Sequence, residues 1–320
     1  MTKKKLLILG GSGFIATNLL NHFCNNDEYE VYTTIHETKL RNLSSKLHRY
    51  SYADLTNKKH VESAIKGMDI VIHAAAVTTG SKDVVERPYL HVTDNIVMNS
   101  YVFQSCHELG VKHCIFLSCT VMYQPNENPQ SETDWNPGEE IYKSYFGVGN
   151  MKVFSERLCE FYSRLGDTKY TAVRHSNVYG PYDKFDLNKC HVLPAMINKV
   201  CSDKSELEIW GSGKAARDVI YIDDLVNFLQ KCIERQESNY ELFNCGYGQA
   251  FPILDIINKI MSYTGKTKHL IFNKSKPDIP TTVVLDCKKA ENLYGWKHQI
   301  SLEEGIAKTV DWYEQNSCSL

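Results

Sequence analysis

Apolar runs and amphipathic stretches alternate through the first third of the chain. Lys5 to Leu9, Glu30 to Thr34, Ile70 to Ala74 and His113 to Leu117 are short, largely apolar and read as buried strands. Between them the apolar positions recur at helical spacing, over Ile15 to Cys24, His60 to Lys66 and Asp94 to Leu109. Strand and helix in this alternation predict a parallel sheet with right-handed crossovers, because no tight turn can connect parallel neighbours. A further helix is expected from Asn150 to Leu165 and a strand from Tyr170 to Arg174. Beyond Gly180 the pattern loosens, with loops expected at Asp183 to Asn188 and at Lys274 to Thr282. The fold class is therefore α/β, a Rossmann-type doubly wound parallel sheet with a smaller α/β C-terminal substrate-binding part. Residues 1–180 are assigned to the dinucleotide-binding domain, to which a stretch at about 215–245 returns, and residues 181–320 mainly to the second part.

The first strand runs into G-G-S-G-F-I-A, residues 10 to 16. Gly10 can make the tight turn, Gly13 lets the backbone approach a pyrophosphate, and Ala16 sits where helix and strand pack closely. The helix that starts at Ile15, just after Phe14, offers unpaired N–H groups and a partial positive charge to phosphate. Glycines alone prove little, but here they follow a strand, open a helix and begin the chain, which is the context of a dinucleotide site. A carboxylate about 20 positions on would hold a ribose diol and repel a 2′-phosphate. The second strand closes instead on Ile35 and His36, with Glu37 after it and Lys39 and Arg41 near. The cofactor is thus NAD or NADP, and the basic side chains favour NADP.

Composition narrows the setting. The 320 residues can bury a sizeable core, and 42% hydrophobic with 23% charged residues suits a soluble enzyme. A net charge of −2 gives no electrostatic basis for binding nucleic acid. The eleven cysteines are scattered singly without a C-x-x-C pair, which fits free thiols in a reducing compartment and no metal site. The apolar run from Leu6 to Leu9 is too short for a signal peptide or a membrane span. A cytoplasmic protein is expected.

G-G-S-G-F-I-A, Asp54-Leu55 and H-A-A-A from His73 resemble the extended short-chain dehydrogenases/reductases, over nearly the whole chain. N-V-Y-G-P-Y-D-K-F from Asn177, C-H-V-L-P-A-M-I from Cys190 and W-G-S-G-K-A-A-R-D-V-I-Y-I-D-D from Trp210 are similar to the GDP-fucose synthase branch of that family. S-K-P-D from Ser275 and Y-G-W-K-H-Q-I-S-L-E-E-G-I from Tyr294 continue the likeness. The resemblance implies a nucleotide-linked sugar as substrate, guanosine-linked, and a homodimer built on the helices near Asp94 to Leu109 and Asn150 to Leu165. It also implies that Asp54 touches the adenine, and that Leu55, Ala74 and Ala75 border the cofactor with Gly10, Gly13, Phe14, Ile15 and His36. Asn177, His191, Lys199, Trp210, Arg217 and Lys276 would surround the sugar nucleotide. The chemistry suits these roles: Arg217 and Lys276 can pair with a diphosphate, and Trp210 offers a base a flat apolar partner.

The catalytic signature departs from the family. Its Tyr-x-x-x-Lys pair uses the lysine to hold the nicotinamide ribose and lower the tyrosine pKa, while the tyrosine exchanges a proton with the sugar oxygen. No tyrosine here is followed four residues later by lysine. Alignment on R-L-C-E-F-Y places the lysine at Lys152 and Val148 where the tyrosine belongs. The serine or threonine that bonds the reacting oxygen is replaced by Cys119, flanked by Ser118 and Thr120. His191 matches the histidine of the epimerising pair, but Val121 stands in the cysteine's place. Candidates for the missing proton carrier are Tyr145, one helical turn before Val148, and Tyr142, Cys119 and His191. Three activities remain open: a reductase or dehydrogenase acting at one sugar carbon, C4; a dehydratase or epimerase with tightly held cofactor; and a catalytically silent sugar-nucleotide binder.

Overall fold

The computed structural model describes residues 2–41, 45–78, 86–187, 190–275 and 281–317. The first half runs β1 (Lys4–Leu9), α1 (Phe14–Phe23), β2 (Tyr29–Ile35), β3 (Arg49–Tyr52), α2 (Lys58–Ile65), β4 (Ile70–His73), α3 (Thr93–Glu108), β5 (His113–Leu117), β6 (Asn126–Gln130), α4 (Phe146–Ser163) and β7 (Lys169–His175). Then follow β8 (Asn177–Tyr179), α5 (Val192–Cys201), β9 (Glu206–Trp210), β10 (Ala216–Tyr221), α6 (Ile222–Arg235), β11 (Tyr240–Cys245), β12 (Ala250–Pro252), α7 (Ile253–Thr264), β13 (His269–Asn273), β14 (Val283–Leu285), α8 (Lys288–Tyr294) and α9 (Leu302–Asn316).

Seven strands form one parallel sheet in the order β11-β7-β5-β4-β1-β2-β3. The order reverses between β1 and β4, which opens a crevice at the carboxyl edge where a ligand can enter. Both faces are covered, which is why the central strands β1, β4 and β5 read as largely apolar runs. Leu6 and Ile8 of β1 pack into one core with Leu19 and Phe23 of α1 and Phe228 of α6. Leu7 and Leu9 pack into the other with Val61 of α2, Phe103 of α3 and Cys159 of α4. The α/β expectation, with a Rossmann-like parallel sheet, holds.

The differences have local causes. β3 reads R-Y-S-Y and is the exposed edge strand, so it carries no apolar run to find. The predicted helix at Asn150 begins earlier, at Phe146, after a turn of 3-10 helix at Lys143–Tyr145. The small sheets outside the main one, β12-β10-β8, β13-β9 and β14-β6, have strands of three to six residues, too short for periodicity to register. After β10, helix α6 packs beside α1 and β11 adds to the edge of the main sheet. No helix among the described residues is long and apolar enough to cross a membrane.

Candidate active site

The glycine turn leaves the end of β1 with Gly10 at φ +85°, a conformation that side chains rarely adopt. A Cβ at Gly10 would lie 2.8 Å from the Cα of Ala75, so the turn and the segment after β4 meet closely at the crevice. The Gly10 N–H donates to Thr34 Oγ1 at 3.2 Å and the Gly11 N–H to the Thr34 carbonyl at 2.7 Å, which fixes the turn against β2. Gly13 caps α1 and no side chain caps that end, so the helix terminus is open to an anion. Ala16 is fully buried beneath it, while Phe14, Ile15, Ala74 and Ala75 are half-buried. His36 is exposed at the end of β2. Asp54 follows β3, and the hydroxyl and N–H of Thr56, at 2.7 and 2.9 Å, hold its carboxyl below the usual range. Leu55 is buried. These residues share the carboxyl ends of β1 to β4, and the close-packed glycine turn and uncapped helix suit a dinucleotide.

Helix α4 carries Val148 one turn before Lys152. The Lys152 ammonium donates to the Leu117 carbonyl at 2.8 Å, at the end of β5, and lies 4.8 Å from the centre of the Phe116 ring. Burial lowers its pKa, and the Cys119 and Glu156 side chains oppose that shift. One turn further on, Glu156 forms a buried pair with Arg174 of β7, at 2.6 Å to Nη2 and 3.0 Å to Nε. Ser118 is fully buried and gives its hydroxyl to Glu156 at 2.6 Å, so that proton is committed to the support of the helix. Burial pushes the half-buried Cys119 thiol up, against the pull of the Lys152 charge.

Beside this edge, one cavity brings together Thr120, Tyr142, Tyr145, Asn177, Arg217 and Thr281. Burial raises the Tyr145 phenol, while Arg217 and the Thr281 hydroxyl pull it down. Arg217 donates through Nη1 to the Thr281 carbonyl at 2.6 Å and to the Ala216 carbonyl at 2.8 Å. Asn177 donates to the Asp218 carbonyl at 2.9 Å. His191 is outside this lining, as the exposed residue preceding α5. Lys199 and Trp210 form another cluster: Lys199 Nζ donates to the Glu208 carbonyl at 2.7 Å and lies 5.9 Å from the centre of the Trp210 ring. The indole N–H donates to the Glu208 carboxylate at 3.2 Å. Lys276 falls outside the described residues. A larger cleft, between Tyr247 and α8, contains none of the candidate residues.

Sequence reasoning overlooked three groups. Glu156 and Arg174 were invisible because a buried ion pair across 18 residues has no local pattern. His175 ends β7 and donates from Nδ1 to the Ser176 carbonyl at 2.8 Å, and burial drives its pKa down to about 4, so the ring is neutral. Its place at the carboxyl end of a sheet strand was the available signal. Asp218, next to Arg217, is buried and outside the cavity lining. Among the described residues no group of three or more histidine, cysteine, aspartate or glutamate side chains is arranged to hold a metal ion.

Comparison with known proteins agrees with this architecture. The NAD dependent epimerase/dehydratase family matches residues 6–246. GDP-L-colitose synthase of Yersinia pseudotuberculosis is 29% identical over 319 residues, 97% of each chain. GDP-L-fucose synthase of Escherichia coli (strain K12) is 24% identical over 330 residues, 99% of this chain and 98% of that one. Among solved structures, UDP-glucose 4-epimerase of Thermotoga maritima with UDP-glucose superposes with a TM-score of 0.87 at 26% identity, covering 98% of this chain and 99% of that one. UDP-glucuronic acid 4-epimerase from Bacillus cereus, in complex with UDP-glucuronic acid and NAD, gives 0.83 at 25% identity, covering 97% and 99%. The chain, with its glycine turn at a sheet crevice and a lysine at the carboxyl edge of the sheet, belongs to the NAD-dependent epimerase/dehydratase family and is an NAD(P)-dependent enzyme of the extended short-chain type.

Proposed function

We propose that this enzyme is a nucleotide-sugar oxidoreductase that moves a hydride between its dinucleotide and C4 of a GDP-linked sugar, using a proton carrier other than the residue at position 148. The observation that carries the reading is the shared cavity: the Tyr145 phenol faces the same space as the cation of Arg217 and the amide of Asn177. When bound, the dinucleotide supplies or accepts the hydride. Lys152 holds its ribose, and Gly10, Gly13 and the start of α1 hold its phosphates. The basic residues Lys39 and Arg41 favour NADP over NAD. Arg217 and Asn177 take the diphosphate of the substrate, with Lys276 as a further cation, while Lys199 and Trp210 take the base. Tyr145 is the acid: a phenol whose pKa burial raises stays protonated near neutrality and can give its proton to a carbonyl oxygen as the C–H bond forms. Thr120 orients that oxygen, with Cys119 beside it. The enzyme works in the cytoplasm as a homodimer.

The likeness to 4-epimerases supports a second reading, in which the sugar is oxidised and reduced again without release of cofactor. The experiment that separates them is to denature the purified protein and identify the nucleotide released and its redox state. Exchangeable cofactor with net turnover of a GDP-4-keto sugar supports the reductase; stoichiometric retained dinucleotide with no net redox change supports the epimerase. Absence of hydride transfer in single turnover with any GDP-sugar overturns both in favour of a silent binder.

A further inference from the structure

β10 presents Arg217 to the cavity and turns the next residue, Asp218, into the interior, where it is 1% exposed. Its carboxylate is held mainly by backbone N–H groups, with the Ser176 side chain as a further hydrogen-bond partner. Oδ1 accepts the Tyr247 N–H at 2.8 Å, and Oδ2 accepts the N–H groups of Gly248 at 3.1 Å and Leu285 at 3.2 Å. The Leu285 bond ties down β14, four residues after Thr281, whose carbonyl holds Arg217 at 2.6 Å. The Asp218 carbonyl accepts the Asn177 amide at 2.9 Å. Three parts of the cavity wall, Arg217, Asn177 and Thr281, are thus anchored on one residue that does not face the cavity. The packing leaves no slack: a Cβ on Gly246 would sit 3.0 Å from Oδ2 and 3.0 Å from the Leu285 side chain. Burial pushes the carboxyl up to about 6, and the Tyr247 and Leu285 N–H bonds, the Ser176 side chain and the Gly248 N–H pull it back. A carboxylate that accepts several backbone N–H groups fixes their relative positions more rigidly than a neutral acceptor can.

We propose that Asp218 is a positioning residue for the diphosphate subsite: its carboxylate sets Arg217 and the segment from Thr281 to Leu285 in register, and its backbone carbonyl holds Asn177. This rests on the reading of Arg217 and Asn177 as diphosphate contacts. Asp218→Asn keeps the volume but replaces an acceptor oxygen by an NH₂ that faces a backbone N–H. In the full-length chain, GDP as the probe should bind about tenfold or more weakly to this variant, while affinity for the dinucleotide is unchanged. During turnover the loss should appear in KM far more than in kcat.

A matched control lies six residues on. Asp224 is 4% exposed, and its carboxylate also accepts two backbone N–H groups, from Gln299 at 2.8 Å and Ile300 at 3.1 Å, away from the cavity. Asp224→Asn should lower stability and leave GDP affinity as it was. Should Asp218→Asn fail to fold, Gly246→Ala presses a methyl group on the same carboxylate and should weaken GDP binding severalfold. Arg217→Ala tests the underlying reading by itself. If Arg217→Ala leaves GDP affinity unchanged, the diphosphate subsite is misassigned. If Arg217→Ala weakens it but the folded Asp218→Asn and Gly246→Ala do not, or Asp224→Asn weakens it equally, the positioning role is overturned.

Discussion

At the scale of the residue, the proposed proton transfer has to work around a valine at position 148. Valine has no proton to give, yet Lys152 still stands one turn later at the carboxyl edge of the sheet, with its ammonium on the Leu117 carbonyl. Lys152→Met should therefore impair hydride transfer, and loss of dinucleotide affinity by titration should accompany it. Tyr145→Phe removes one hydroxyl and keeps the ring, and general acid–base groups contribute ~10²–10⁴-fold. A fall of kcat in that range, without loss of GDP binding, is expected; a change of less than about threefold would pass the role to Cys119 or His191. Val148→Tyr then asks whether the site decayed or was rebuilt: if Tyr145 is the acid, the new phenol should add nothing to the single-turnover rate. The cofactor end has its own test. A Cβ at Gly13 would press on the Gly10 carbonyl oxygen alone, at 3.2 Å, a contact that a shift of a few tenths of an ångström relieves, so Gly13→Asp should fold. Its carboxylate would then repel a pyrophosphate at the helix N-terminus, and dinucleotide binding measured by calorimetry should disappear.

At the scale of the element, legibility followed burial. β1, β2, β4, β5 and β7 were readable because both faces of the sheet are covered and each strand has a mostly buried centre, apolar above all in β1, β4 and β5. β3 was not, because an edge strand with three exposed residues out of four carries no such run. The glycine turn was legible because its function needs particular residue types at fixed spacing. The catalytic end was less so: that Tyr145 shares a cavity with Arg217, 72 positions away, depends on how β10 lies against the main sheet, which no local pattern encodes. The support of α4 was equally hidden. Glu156 holds Ser118 and Arg174 at once, joining the helix that carries Lys152 to β5 and β7. Breaking one side of a buried ion pair leaves an uncompensated charge and costs ~3–5 kcal/mol. Glu156→Gln should lower the urea midpoint accordingly and, if the protein still folds, reduce hydride transfer through misplacement of Lys152. An unchanged midpoint would mean that the pair does not hold the helix.

At the scale of the whole molecule, the surface of α4 asks for a partner. Phe154 and Phe161 are 50% and 51% exposed and lie seven residues apart on one face, continued by Leu165 at 51%. Aromatic side chains left this open in a stripe along a helix mark an association surface rather than ordinary scatter. On the neighbouring helix, Val102 and Phe103 of α3 are fully buried inside the subunit and pack α3 against the sheet. The proposed dimer face is therefore the outer side of α4, with α3 beside it, meeting its own copy about a two-fold axis as closed homo-oligomers do. A net charge of −2 offers little repulsion between copies. Light scattering at micromolar concentration should give twice the 36.6 kDa of the chain. Phe154→Glu with Phe161→Glu should convert it to a folded monomer, because two carboxylates buried against their symmetry mates cannot find partners. Lys152 is on the same helix, which begins beside the cavity, so the monomer should also lose activity through a looser α4. A wild-type protein that scatters as a monomer would remove the dimer, and a double variant that remains dimeric would move the interface to another face.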